Sequence, residues 1–324
     1  QCLLFNPFLT ELVIIMKKIG LATALLLAMT GAQAYQVEVQ GNVGYYDAEL
    51  NDGNYNVGAQ GTYYFKDLNT TKGPLAEAAF LNQASSVSAG YNYGRLSADI
   101  DTGIAQVGTL NLNVDQHSYG VKGETYIPTS VVPVYASASY NHSITDVKNN
   151  DSILLGQRDD SGDRYALELG AMLAPNFLVA VGYTSVSANE SLDTFNILNN
   201  GLMSASMEAR SIDEDQDAIT ARTKYVGPID GTNMSLGFEA GIVYGEDTLY
   251  NLKSDLYLTP KFSVGASYAE GSYKSRTLPT SATGVNVNYF VTPAIGLGVS
   301  YVYANGENGA NDAQLGGVNA KFRF

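Results

Sequence analysis

From Tyr35 to Phe324 the chain alternates apolar and polar residues with period two, segment after segment. Period two is the signature of a strand with two unlike faces. Near one end Tyr35, Val37, Val39, Val43 and Tyr45 face one way, and Gln36, Glu38, Gln40 and Asn42 the other. Near the other end Ile295, Leu297, Val299, Tyr301 and Tyr303 alternate with Ala294, Gly296, Gly298 and Ser300. The charges stay on the polar side: Glu168, Arg222, Lys224, Glu239, Lys253, Asp255, Lys321 and Arg323 all share it, and the apolar sets are read as free of charge. On a lipid-facing surface a mid-membrane Lys or Arg costs roughly 2–4 kcal/mol, and a slip of one residue would expose a whole polar set. A soluble β-sandwich also alternates, but with strands less uniform in length and a core to fill.

Fourteen such segments are expected, near 35–46, 54–66, 84–96, 115–127, 132–144, 163–173, 177–187, 217–226, 233–245, 248–258, 262–272, 282–291, 294–304 and 313–324. Each approaches the roughly 10 residues that a tilted strand needs to cross an outer membrane. Short connectors bearing proline (174–176, 259–261, 292–294, and those around Pro128 to Pro133 and Pro228) alternate with longer polar ones at 97–114, 146–162, 188–216 and 304–312. Proline suits hairpin tips because it fixes φ and lacks a ladder donor. The expected fold is therefore an all-β, single-chain, antiparallel transmembrane barrel with short periplasmic turns and longer extracellular loops. Tyr45, Tyr63, Tyr183, Tyr225, Tyr244, Tyr289 and Tyr303 fall near strand ends, where a chain without Trp must build its interfacial girdle.

Met16-Lys17-Lys18, the apolar run Ile19 to Met29 and the small-x-small stretch Ala32-Gln33-Ala34 read as a secretory leader at 16–34. Residues 1–15 precede that methionine and read as upstream sequence from a mistaken start, with an unusually long leader as the alternative. The barrel domain is then 35–324. Loss of 1–34 removes Cys2, Lys17, Lys18 and Glu11, which leaves no thiol and moves the net charge from −14 to about −15. So acidic a chain is not expected to bind nucleic acid.

A fourteen-stranded barrel lies nearer the open, water-filled end of the size range than the side-chain-filled end. The expected lumen wall holds small polar residues (Ser137, Ser139, Asn141, Ser263, Ser267, Asn286, Asn288) among charges of both signs: Lys122, Arg164, Arg222, Lys224, Lys253, Lys321 and Arg323 against Glu38, Glu124, Glu168, Glu239 and Asp255. Two arrangements stay open at this point: facing rows that set up a transverse field, or salt bridges that fill the interior. Two insertions are candidate constrictions. Residues 67–83 carry Leu75, Phe80 and Leu81 behind Pro74, a helix-compatible start, and either fold into the lumen or cap the rim. Residues 188–216 carry Phe195, Ile197 and Leu198 ahead of the acidic run Asp213-Glu214-Asp215, which would enrich cations at the mouth.

The terminal strand Val318-Asn319-Ala320-Lys321-Phe322-Arg323-Phe324 resembles the carboxyl-terminal signal, with Phe322 and Phe324 as its aromatic elements, by which the barrel-assembly machinery recognises its clients. More specifically, the blocks GPLAEAAFLNQASSVS (73–88), DRYALELGAML (163–173), PNFLVAVGYTSV (175–186), ARTKYVG (221–227), IDGTNM (229–234), NYFVTPA (288–294) and NAKFRF (319–324) resemble the Acinetobacter outer-membrane porins of the 33–36 kilodalton class. That resemblance implies a fourteen-stranded channel in a Gram-negative outer membrane, passing water, ions and small hydrophilic solutes, with parts in antibiotic uptake and host-cell contact. The partners it implies are outer-membrane lipid and lipopolysaccharide, the assembly machinery and small solutes. Monomer is slightly favoured over trimer. The long loops 97–114, 146–162 and 273–281 depart most from the pattern.

Signals of other chemistry are weak. His117 and His142 are the only histidines, and in Asn141-His142-Ser143 the histidine and serine point to opposite faces of a strand. Asp159, Asp160 and Asp163, and the acidic run at 213–217, match no defined cation loop. Neither catalysis nor a cofactor is expected. The alternatives to a porin are a plugged barrel that acts through its loops as an adhesin, and a fatty-acid channel, which would need an amino-terminal hatch before its first strand.

Overall fold

The computed structural model describes residues 34–48, 51–101, 109–149, 158–187, 216–245, 248–272, 279–306 and 312–324. They form fourteen strands: β1 (Ala34–Ala48), β2 (Asn51–Asn69), β3 (Ser86–Asp101), β4 (Thr109–Ile127), β5 (Val134–Asn149), β6 (Arg158–Ala174), β7 (Phe177–Val186), β8 (Gln216–Pro228), β9 (Ser235–Tyr244), β10 (Thr248–Thr259), β11 (Phe262–Ser272), β12 (Pro279–Thr292), β13 (Ile295–Gly306) and β14 (Ala313–Arg323). Every strand pairs antiparallel with its sequence neighbours, and β14 returns to β1, so the sheet closes and has no edge. Closure pairs Glu38 with Arg323 and Val43 with Val318. Among the described residues no helix is long and apolar enough to cross a membrane; the strands provide the crossing.

The faces are inverted relative to a soluble protein. Leu167 is 60% exposed and Val299 53%, with Leu169, Val181, Phe238, Val285 and Val318 exposed beside them. So continuous a belt of exposed apolar side chains needs hydrocarbon as its solvent. The tyrosines at strand ends flank it: Tyr45, Tyr63, Tyr183, Tyr244, Tyr289 and Tyr303 are exposed, and Tyr225 is half-buried. Short turns close one rim, as at Ala174–Phe177 and Thr259–Phe262.

Three details depart from the sequence reading. First, the barrel is lopsided. Strands β2–β6 run to 16–19 residues, whereas β7–β14 run to 10–14. Much of what reads as loop at 97–114 and 146–162 is therefore strand. On β5 and β6 the extensions (146–149 and 158–162) are almost wholly polar, so the apolar period fades there although the ladder continues. On β3 and β4 the period itself continues, with Leu96, Ala98 and Ile100 paired to Val114, Leu112 and Leu110, so the strands run past the expected bounds. Second, the outward face is not free of charge. Arg95 and Asp115 are paired neighbours on β3 and β4 and share the face of Tyr91, Tyr93 and Tyr119; their ions meet at 2.7 Å. Lys148 reaches Asp115 at 3.7 Å, and Asp163 lies on the face of Tyr165 and Leu167. These charges sit toward the long-loop ends of the tall strands, above the apolar belt. Third, Tyr35 does not share the outward face of Val37. A bulge shifts the β1–β2 register between them, pairing Tyr35 with Leu68 but Val37 with Tyr63. The Tyr35 ring is 4% exposed and packs edge-on against Tyr64 at 5.8 Å.

Candidate functional site

The barrel encloses a cavity of about 540 Å³. Alternation aims every second side chain into it, which explains why polar residues are tolerated there. Glu38, Lys122, Glu124, Arg164, Glu168, Arg222, Lys224, Glu239, Lys253, Asp255 and Lys321 line this cavity. Arg323 lies at its floor, almost fully buried and bonded to Glu38 at 2.7 Å. Ser137, Ser139, Ser263, Ser267, Asn286 and Asn288 line it too, and Asn141 is fully buried on the same face of β5.

The charges pair along the wall and do not stand in opposed rows. On the arc β4–β9 Lys122 contacts Glu124 at 3.0 Å, and Arg222 holds Glu168 at 2.6 Å and Glu239 at 3.4 Å while donating to the Tyr135 hydroxyl at 3.2 Å. Arg222 reaches Glu168 across β7, where Gly182 pairs with both Glu168 and Thr220; a Cβ at Gly182 would lie 2.6 Å from Thr220 Oγ1. On the arc from β10 through β14 to β1 the lining is mostly amide and hydroxyl. There Lys253 meets Asp255 at 3.4 Å, and Asn286 donates to Asp255 at 3.0 Å.

The connector after β2 enters this lumen. Leu75–Glu77 form a 3₁₀ turn and Ala78–Leu81 one turn of helix, α1, following Pro74. The helix stops at Asn82, with Gln83 in the left-handed region (φ 48°) turning the chain into β3. At its start Gly73 lets Leu81 approach; a Cβ there would lie 2.7 Å from Leu81 Cδ1. Phe80 packs with Tyr135, Met172, Leu178, Ala180, Val226 and Tyr257, and Leu81 lies against that cluster. All six partners are inward-facing residues near the periplasmic ends of β5, β6, β7, β8 and β10. Leu75 is buried, donates its N–H to the Pro260 carbonyl at 2.8 Å and accepts from Arg323 at 3.0 Å. The segment therefore fills the periplasmic mouth from within and does not cap the rim from below.

One acidic residue that the sequence reading did not single out ties this plug to the wall. Glu77 accepts from the Tyr257 hydroxyl at 2.7 Å and pairs with Lys224 at 2.9 Å. Burial alone would raise the Glu77 carboxyl; the Lys224 ammonium and the two hydrogen bonds override it and hold the group down at about 2. The signal available in sequence was an acid inside an otherwise apolar helical stretch, with unpaired lumen cations elsewhere to receive it.

The remaining candidates lie elsewhere. Phe195, Ile197, Leu198 and the run 213–215 are outside the described residues. Phe322 pairs with Val39 and Ile295, and Phe324 is exposed, its carbonyl accepting from Gln36 and Val37 at the β1–β14 seam. His117 bonds the Tyr91 hydroxyl at 2.8 Å and His142 meets Asp163 at 2.9 Å, both on the outward face, while Ser143 turns inward to Ser118. Among the described residues no group of three or more His, Cys, Asp or Glu could hold a metal ion.

Residues 9–324 match the family described as "Putative general bacterial porin". Among solved structures the chain is similar to the outer membrane protein Omp33 of Acinetobacter baumannii, at 45% identity over 91% of this chain and 100% of that one, with a TM-score of 0.63. It is also similar in fold to a mutant of the Pseudomonas putida monoaromatic hydrocarbon channel TodX (11% identity, 91% of each chain, TM-score 0.53) and to the Ralstonia pickettii toluene transporter TbuX (10% identity, 91% and 90%, TM-score 0.51). No curated protein matches. With a closed fourteen-stranded barrel, an apolar exterior and a family match over nearly its whole length, this chain belongs to the general bacterial porins of the Gram-negative outer membrane.

Proposed function

We propose that this protein lets water, ions and small hydrophilic solutes diffuse across the outer membrane, and that the segment 72–83 with Leu75, Phe80 and Leu81 sets its constriction. The observation that carries this is the lining. The cavity is walled by serine, asparagine and paired charges, which water wets and an apolar solute does not displace. Catalysis forms no part of the reading, and Phe322 and Phe324 are read as the element that the assembly machinery recognises.

The test is the purified protein in planar bilayers and in liposomes. Discrete conductance steps, with swelling in small neutral sugars, are expected. A second reading, a closed barrel that works through its loops in adhesion, draws on the fit of Phe80 in its cluster. Swelling separates the two: liposomes that stay inert to every small sugar would favour the closed barrel.

A further inference from the structure

Five lumen cations have a carboxylate at hand. The distances are 3.0 Å for Lys122, 2.6 Å for Arg222, 2.9 Å for Lys224, 3.4 Å for Lys253 and 2.7 Å for Arg323. Lys321 is different. It lines the cavity, yet makes no hydrogen bond or ion pair among the described residues. The register explains why. Its β13 neighbour is Gly296, which has no side chain, and its β1 neighbour is Gln40, an amide. Glu38, the nearest carboxylate along β1, is already held by Arg323.

The surroundings are amides. Asn319 precedes Lys321 by two residues on the same face, and Asn288 leans toward it over Gly298. A Cβ at Gly298 would lie 2.4 Å from Asn288 Oδ1 and 2.5 Å from Asn319 Nδ2. Gln40, Asn42 and Asn286 continue the same lining of the cavity. An ammonium in the field of Glu38 but bonded to no carboxylate, beside side chains that both donate and accept, is chemistry for an anion with hydroxyl groups attached.

Resting on the channel reading above, we infer that Lys321 with Gln40, Asn288 and Asn319 forms a subsite for hydroxylated monocarboxylates, the chemistry of a sugar acid, on the amide arc of the lumen. The carboxylate meets the Lys321 ammonium and the hydroxyls exchange hydrogen bonds with the amides. One unbonded ammonium, partly offset by Glu38, suits a monoanion better than a more highly charged phosphate, which Glu38 repels more strongly.

Proteoliposome uptake of glucuronate relative to glucose tests this, because the two differ by one carboxylate at nearly equal size. The glucuronate-to-glucose ratio is expected to fall about fivefold in Lys321→Gln, as for the loss of one charge-assisted contact in a wet site, and to be kept in Lys321→Arg. An unchanged ratio in Lys321→Gln, in a protein that still takes up glucose, overturns the subsite alone. Uptake of neither sugar by the wild type overturns the channel reading and the subsite with it. Should Lys321→Gln fail to assemble, the wild type decides: glucuronate added on one side of a bilayer should reduce chloride current with saturation, and a strictly linear response overturns the proposal.

Discussion

The two arcs of the lumen wall are made by the same alternation and behave differently. On β4–β9 large charged side chains interlock: Arg222 joins two carboxylates and a tyrosine hydroxyl, and Lys224 joins Glu77 of the plug with Glu239, 3.8 Å away. On β10–β14 and β1 the pairs Lys253–Asp255 and Arg323–Glu38 stand among glycine, serine and asparagine, and Lys321 is bonded to no carboxylate. The first arc interlocks its charges and shares the anchoring of the plug with Tyr257, Pro260 and Arg323 of the second; the rest of the second leaves room and hydrogen-bonding capacity. A buried charge is strongly held only when its partners stay in place, so rigidity gathers where the charges gather. The passage for solute is then expected along the side with small residues.

Experiments can break that division. The largest effect should come from deletion of 72–83, which removes Leu75, Glu77 and Phe80 together and is expected to raise single-channel conductance. Unchanged conductance would show that the plug is not the constriction. Next is Glu77→Gln. Breaking a buried pair costs about 3 kcal/mol, so the ratio of open to closed intervals should rise about a hundredfold. If the ratio holds, the plug is anchored by Phe80 packing and not by its ion pair.

Acid probes the same contact without mutation. The Glu77 carboxyl is held near 2, below its ordinary 4.5, by Lys224 and Tyr257 against the opposing effect of burial. Its contribution is therefore complete above about pH 4.5 and lost as pH falls toward 2. Open intervals recorded in bilayers should be constant from neutral pH to about 5 and lengthen below it. Lengthening already near neutrality would assign the plug's hold on the wall to another group. The smallest contrast compares the arcs by stability. Arg222→Met strands Glu168, leaves Glu239 with Lys224 alone and should destabilise the barrel by about 3 kcal/mol, whereas Asn286→Ala loses one hydrogen bond to Asp255 and should cost about 1 kcal/mol. Heat-modified gel migration would measure both, and equal losses would erase the distinction between the arcs.

The tall strands show where reading by period stops. Leu167, Phe238 and Val299 reveal their face because lipid demands apolar side chains at those heights. Asp146 and Asp159, and Thr145 and Asp160, are paired strand residues above that belt, where water on both sides imposes no pattern. The outward pair Arg95–Asp115 was missed for the same reason: a charge is excluded from the lipid face only within the hydrocarbon.

The sequence by itself determined which side of each strand meets lipid, because alternation is a property of one strand and its solvent. It also determined that 67–83 is too long and too apolar to be a plain turn. Only the tertiary structure decided that this segment turns into the lumen, that Glu77 finds Lys224, that Tyr35 flips at a bulge, and that Lys321 faces a glycine and an amide. Those facts depend on the registers between strands and on closure of β14 onto β1, which bring together residues hundreds of positions apart in sequence.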